Sequence, residues 1–129
     1  MVLQFSPHLE VSLHMTDTTP AYSRTLNDKT HPLDISLPQL EHDTRINTHS
    51  PLLAASLFIQ SSSLLPSTAS KTFIFTGNML NEVVNPVCLG FGMGKSSTAH
   101  VIRTASLVHG PQGIKYVFPW GQYVWCLLN

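Results

Sequence analysis

The chain has 129 residues, with seven Lys+Arg against seven Asp+Glu and only 11% charged positions. That length suits one layered domain with a modest core, and the sparse, balanced charge excludes an extended electrostatic footprint for nucleic acid or anionic lipid. No run reaches the roughly 18 apolar residues of a membrane span, and the N-terminus lacks the basic flank and apolar run of a secretory signal, so the expectation is a soluble, cytoplasmic protein.

In chain order, "LEVSLHM" is the first patterned stretch. Leu9, Val11, Leu13 and Met15 alternate with Glu10, Ser12 and His14, which is the period of a half-buried strand. The polar run "TDTTPAYSRTLNDKTHP" reads as a long loop. From Ser36 the period becomes helical. Ser36 and Gln39 form a capping-box pair, and Leu37, Leu40, Thr44 and Asn47 follow at helical spacing. Ser50 and Pro51 give a second helix start, which predicts a kink or break near Asn47, where backbone groups are freed.

The run "KTFIFTG" predicts a buried strand ending in a turn. A third helix is expected over roughly 92–109, stopped by Gly110 and Pro111, with Ala99, Val101, Ile102, Ala105 and Val108 as its apolar stripe. Lys95 starts on the protein-facing side of that helix, an unfavourable place for a charge without a task or a partner. "IKYVF" is a second β-rich segment, and the strand, helix, strand order predicts a right-handed crossover joining two parallel strands. The tail "PWGQYVWCLLN" is expected to pack as a further strand or cap.

Two candidate chemistries are set aside. His42 and His49 are seven apart, but the polar "INTHS" and Pro51 argue against one continuous helix, and no carboxylate or cysteine completes a ligand set, so no metal is expected. Cys88 and Cys126 are read as free thiols. "GFGMGKSS" resembles a phosphate-binding loop, yet a Walker motif ending at Gly94-Lys95-Ser96 requires glycine where Leu89 stands, and the dinucleotide motif fails at Lys95.

Taken together, "KTFIFTGN", "GMGKSSTAHVIRTAS" and "IKYVF", with "PLDISLPQLEHDTRINTHSPLLAASL" before them, resemble the C-terminal half of the short-chain dehydrogenases/reductases over about 32–118. The resemblance implies an α/β fold, a partial Rossmann-like parallel sheet with flanking helices, preceded by a divergent segment at 1–31 and followed by a divergent apolar tail at 119–129. It also implies an oxidoreductase ancestry with NADP or NAD as cofactor and a carbonyl or alcohol as substrate.

Family members carry an asparagine, a serine, a tyrosine and a lysine that act together. Residue by residue, Asn47 matches the asparagine and Lys95 the lysine, which also holds the cofactor ribose in the family; Asn78 stands at the serine position. The alternative for Asn78 and Lys95 is that Asn78 closes the turn after the strand and Lys95 is a partly exposed first-turn residue. The tyrosine position, four before Lys95, is Phe91. Phenylalanine has no exchangeable proton, so the general acid/base is missing there, with Tyr116 or a histidine as the conceivable substitute. All seven glycines lie at or beyond Gly77, so no glycine-rich phosphate turn precedes the matching helices. The expectations that follow are a reductase-like chain using Asn47, Asn78 and Lys95, or an inactive relic that pairs with a second copy or a full-length relative through its two long helices.

Overall fold

The computed structural model describes residues 2–6, 23–120 and 123–126, and side chains from 23 to 117. The strand expected at 9–15 lies outside the described residues. Strand β1 (Val2–Ser6) is followed by helix α1 (Leu37–Thr44), a π-helical turn (Arg45–His49), helix α2 (Ser50–Ser62) and strand β2 (Ser70–Ile74). Short 3₁₀ turns at Met79–Asn81 and Pro86–Cys88 lead into helix α3 (Leu89–His109), and strands β3 (Ile114–Trp120) and β4 (Tyr123–Cys126) complete the order.

The sheet has the order β1-β2-β3-β4. Its central pair, β2 and β3, is parallel, with Lys71 opposite Ile114 and Phe73 opposite Tyr116. Helix α3 is the crossover between them, as the strand, helix, strand pattern predicts. Antiparallel strands flank the pair on both sides: β1 runs along β2 with Val2 opposite Ile74, and β4 along β3 with Val117 opposite Cys126. The C-terminal tail is therefore a strand at 123–126.

Helix α1 begins where its capping box places it. The Ser36 backbone is extended, its hydroxyl accepts from the Gln39 N–H at 3.4 Å, and the same hydroxyl donates to Gln39 Oε1 at 2.8 Å. Ser50, in contrast, caps nothing, because the residues before it remain helical. The disturbance predicted near Asn47 takes the form of a widened π turn, not a break. Pro51 has no N–H, so the carbonyl of Asn47, four residues earlier, lacks its ordinary helical donor. The buried Thr98 hydroxyl donates to that carbonyl instead, and the Ser50 N–H and hydroxyl both turn back to the Arg45 carbonyl.

Helices α2 and α3 cover one face of the parallel pair. Ala55 and Phe58 from α2, Ala99, Ile102 and Ala105 from α3, and Phe73, Phe75, Ile114 and Tyr116 from the sheet form a single core. Phe58, Phe73 and Tyr116 meet as an aromatic trio with centroid separations of 5.5, 6.4 and 6.0 Å. Burying each such ring stabilises the fold by roughly 2–3 kcal/mol.

The stripe on α3 is narrower than its sequence period suggests. Ala99, Ile102 and Ala105 are buried, Val101 is half-buried and Val108 is 54% exposed. Val108 lies one residue from the end of the helix, outside the core cluster that Ile102 joins. The helix also starts three residues earlier than the glycine-based reading, at Leu89. The reason is a distant cap: Asn27 Oδ1 accepts the Leu89 N–H at 3.2 Å, while the Asn27 N–H donates to the Val87 carbonyl at 2.9 Å.

Candidate functional site

The side chains matched to the family pattern collect around the N-terminal half of α3. "GFGMGKSS" forms the first turns of this helix, so its backbone N–H groups beyond the first turn are spent on helical bonds, and the Leu89 N–H is taken by Asn27. The segment is not a phosphate cradle. Its glycines serve close packing instead. A Cβ added at Gly94 would stand 2.6 Å from the Asn47 Cβ, and one at Gly90 would stand 3.1 Å from Asp43 Oδ2. Gly90 and Gly94, four apart on α3, thus face Asp43 and Asn47, four apart at the junction of α1 and the π turn.

Asn47 is 1% exposed. Its side-chain amide pairs with the backbone of Ser23 in both directions, accepting the Ser23 N–H at 3.1 Å and donating to the Ser23 carbonyl at 2.6 Å. One turn earlier, the fully buried Asp43 accepts from the Ser23 hydroxyl at 2.6 Å and from the Thr25 N–H at 3.0 Å. Asn47 and Asp43 therefore clamp the extended segment around Ser23 against the helices. Both polar groups are buried with partners, which removes most of the cost of desolvating them.

Lys95 lies on the inner face of α3, 5% exposed. Its Nζ donates to the Thr76 carbonyl at 3.2 Å, just past the end of β2. The ammonium sits 4.9 Å from the Phe75 ring centroid and 5.2 Å from that of Phe91, the distances of cation–π contacts. Neither ion pair among the described residues involves it. Burial lowers its pKa from 10.5 to about 8.

Phe91, one turn before Lys95 on α3, is itself buried and meets the lysine with a hydrocarbon face where the family has a phenol. Asn78 has an extended backbone, and its Oδ1 accepts the Leu80 N–H at 2.9 Å, which caps the Met79–Asn81 turn. None of these hydrogen bonds joins Lys95 to Asn47 or to Asn78. The helix connects them indirectly: Gly94 abuts Asn47, and Lys95 touches Thr76, two residues before Asn78.

Tyr116, weighed as a substitute proton donor, is fully buried in the core against Phe58 and Phe73. Its hydroxyl finds no hydrogen-bond partner among the described residues, and burial pushes its pKa up to about 12. Such a phenol is poorly suited to exchange protons with a substrate. No group of three or more His, Cys, Asp or Glu capable of holding a metal occurs among the described residues. Cys88 is free and buried; the side chain of Cys126 lies outside the described ones.

Asp43, Ser23 and Thr98 were not singled out from the sequence, although they organise the site. A usable signal was present: a pair of buried-face polar residues four apart on one helix, and glycines four apart on another, is the pattern of two helices in near contact.

Comparison with known proteins decides the lineage. The chain is 40% identical over 91 residues to the short chain dehydrogenase/reductase dmxR12 of Cryptosporiopsis sp. (strain 8999), an alignment covering 70% of this chain and 37% of that protein. By sequence and by fold, the chain belongs with the short-chain dehydrogenases/reductases. Among solved structures it superposes on the landomycin C-6 ketoreductase LanV, determined with bound NADP and rabelomycin, with a TM-score of 0.62 at 16% identity, covering 76% of this chain and 37% of that one. It also superposes on BdcA in complex with NADPH, with a TM-score of 0.58 at 16% identity, covering 74% and 36%. No family profile matches the chain.

The chain thus spans a little over a third of the length of the short-chain dehydrogenases/reductases it matches, and its α/β architecture is theirs. Lys95, the lysine of the family pattern, is bonded to the Thr76 carbonyl and covered by two rings. Among the described residues no helix is long and apolar enough to cross a membrane.

Proposed function

We propose that this chain carries the substrate-side portion of a short-chain dehydrogenase/reductase, an NADP- or NAD-dependent oxidoreductase by lineage acting on a carbonyl or alcohol, with its own proton-transfer step silenced. The observation that carries this reading is the Phe91 ring on Lys95. A lysine beside a tyrosine stabilises the phenolate and so tunes an acid/base group. Beside a phenylalanine the same lysine has nothing to tune.

The other two positions support the reading. Asn78 Oδ1 is occupied in capping a turn, which leaves at most its NH₂ to polarise a carbonyl. Both ends of the Asn47 amide are occupied in holding Ser23. General acid–base catalysis contributes about 10²–10⁴-fold, so an otherwise competent site would lose most of its rate with Phe91 in place. A cytoplasmic location accords with the reading.

The test is a titration of the purified chain with NADPH, followed by fluorescence, and then by NADPH consumption with a panel of ketones. The expected result is no saturable binding up to millimolar coenzyme and no consumption. Saturable binding with turnover would show that another group supplies the proton, and the silenced reading would fall.

A second reading, association through the long helices, is favoured by a specific observation. Leu52, Leu53 and Leu57 on α2 are 49%, 62% and 52% exposed, and Leu107 and Val108 on α3 are 69% and 54% exposed. Apolar surface of this kind is commonly covered by a partner. Light scattering is expected to report a dimer, either of the chain or with a full-length relative; a monodisperse monomer that binds no intact relative excludes this role.

A further inference from the structure

We infer that the outer edge of β2 is a strand-accepting site whose partner is β1 of a second copy of this chain, the two copies exchanging their first strands. The sheet is a parallel pair closed on each side by an antiparallel strand. The two closing strands are tied to the fold differently. Only residues 121 and 122 separate β3 from β4, and Trp120 pairs with Tyr123, so β4 is a hairpin strand that pairs within its own chain. Residues 7–69 separate β1 from β2. No turn imposes this second pairing, and the ladder alone selects it.

That ladder is the same whichever copy supplies the strand. Val2 stands opposite Ile74, Gln4 opposite Thr72 and Ser6 opposite Ser70, and the backbone bonds of such a register do not depend on how the strands are connected. The β1 sequence, "VLQFS", has neither a charge nor a proline, two of the devices that keep edge strands from pairing with other chains.

Ser23 is clamped by Asn47 and Asp43, so the fold from there on keeps its place and only the chain before Ser23 changes hands. Residues 7–22 join β1 to that clamp, and a stretch of that length reaches about 50 Å when extended, more than the roughly 30 Å width of a small domain. Two copies that exchange β1 keep both ladders, which makes exchange a low-cost route to a dimer. The chain's own β1 competes at an effective concentration on the order of millimolar. Exchange is therefore favoured when copies are refolded together at high concentration.

The experiment uses two variants of the intact chain, one with Ser6→Cys and the other with Ser70→Cys. Both also carry Cys126→Ser, which leaves the buried Cys88 as the native thiol. They are mixed in urea, refolded together at a concentration approaching millimolar and oxidised with glutathione disulfide. Neither variant can link positions 6 and 70 within one molecule, whereas paired strands hold opposite Cα atoms about 4.5–5.5 Å apart, within disulfide reach. The expected product is a covalent dimer in which peptide mass spectrometry finds position 6 of one copy joined to position 70 of the other. Its yield should exceed about tenfold that obtained with Ser67→Cys in place of Ser70→Cys, because Ser67 is exposed and lies outside the register. A single chain carrying both Ser6→Cys and Ser70→Cys, oxidised when dilute, is expected to close an internal disulfide. Internal closure without the mixed dimer overturns the exchange, as does a mixed dimer no more abundant than the Ser67→Cys control, or failure of both links. Copies joined only through α2 and α3 would scatter light as a dimer yet give no 6–70 link, so the two modes of association fail separately.

Discussion

Replacing Gly94 by alanine lowers the free energy of unfolding by about 2 kcal/mol, read from urea denaturation followed by circular dichroism. The added Cβ would stand 2.6 Å from the Cβ of Asn47, well inside van der Waals contact, and that atom is fixed to the backbone, so no rotamer change relieves the clash. Asn47 cannot retreat easily, because its amide is bonded on both sides to Ser23 and its carbonyl to Thr98. Helix α3 must therefore move away from the π turn, weakening contacts along its length.

Alanine's better helix propensity, about 1 kcal/mol over glycine, offsets only part of this loss. Gly92→Ala is the matched control. Its new Cβ would meet nothing nearer than the Leu80 carbonyl oxygen at 3.5 Å, an ordinary contact, so the propensity gain survives and the protein becomes more stable by about 0.5–1 kcal/mol. Equal effects at the two glycines would mean that the helices do not approach as described.

This contrast also shows what the sequence reveals. Features set by neighbouring residues were legible: the Ser36–Gln39 capping box, the end of α3 before Gly110 and Pro111, the β-rich runs that become β2 and β3, and the freed backbone that Pro51 creates at Asn47. The sequence placed Lys95 in the first turn of α3 and Phe91 just before the helix; because the helix starts at Leu89, both lie on it one turn apart, with the ring and the amine in contact.

Features set by residues distant in the chain were not legible. The cap on α3 comes from Asn27, 62 residues away, so the helix start was placed too late. Asp43 on Ser23, and Thr98 on Asn47, depend on which helix faces which, and hydrophobic period does not encode that for polar residues. The stripe on α3 was drawn too wide for a related reason: a period gives the direction of a buried face, while its width is fixed by what lies opposite. By contrast, the turn-closing role of Asn78 after β2 was legible, because an asparagine side chain accepts the N–H two residues on, and its Oδ1 does so from Leu80.

Lys95→Met stabilises the protein by about 1–2 kcal/mol at pH 7, and the gain shrinks to nothing above about pH 10.5. Burial lowers the Lys95 pKa from 10.5 to about 8, so the folded chain binds this proton less tightly than the unfolded chain does. Between about pH 8 and 10.5 the unfolded state holds the proton that the folded state has released, and stability conferred through this residue rises with pH across that window. Below about pH 8 both states are charged, and the fold bears the full cost of a buried ammonium.

At about 1.4 kcal/mol per pH unit this cost is on the order of 3 kcal/mol, and the contacts with Phe75, Phe91 and the Thr76 carbonyl that methionine gives up reduce the net gain. Methionine keeps an unbranched stem of similar length against the same rings, so no large cavity opens. Tyr116 acts in the opposite sense: its buried hydroxyl, with a pKa raised to about 12, keeps its proton while the unfolded phenol loses one above about pH 10, so stability falls there. That fall is common to both proteins and cancels in their difference. Urea unfolding of the pair at pH 7 and pH 10 checks the argument. A methionine variant that is less stable at pH 7 would mean that Lys95 has a favourable task in the fold strong enough to outweigh its burial.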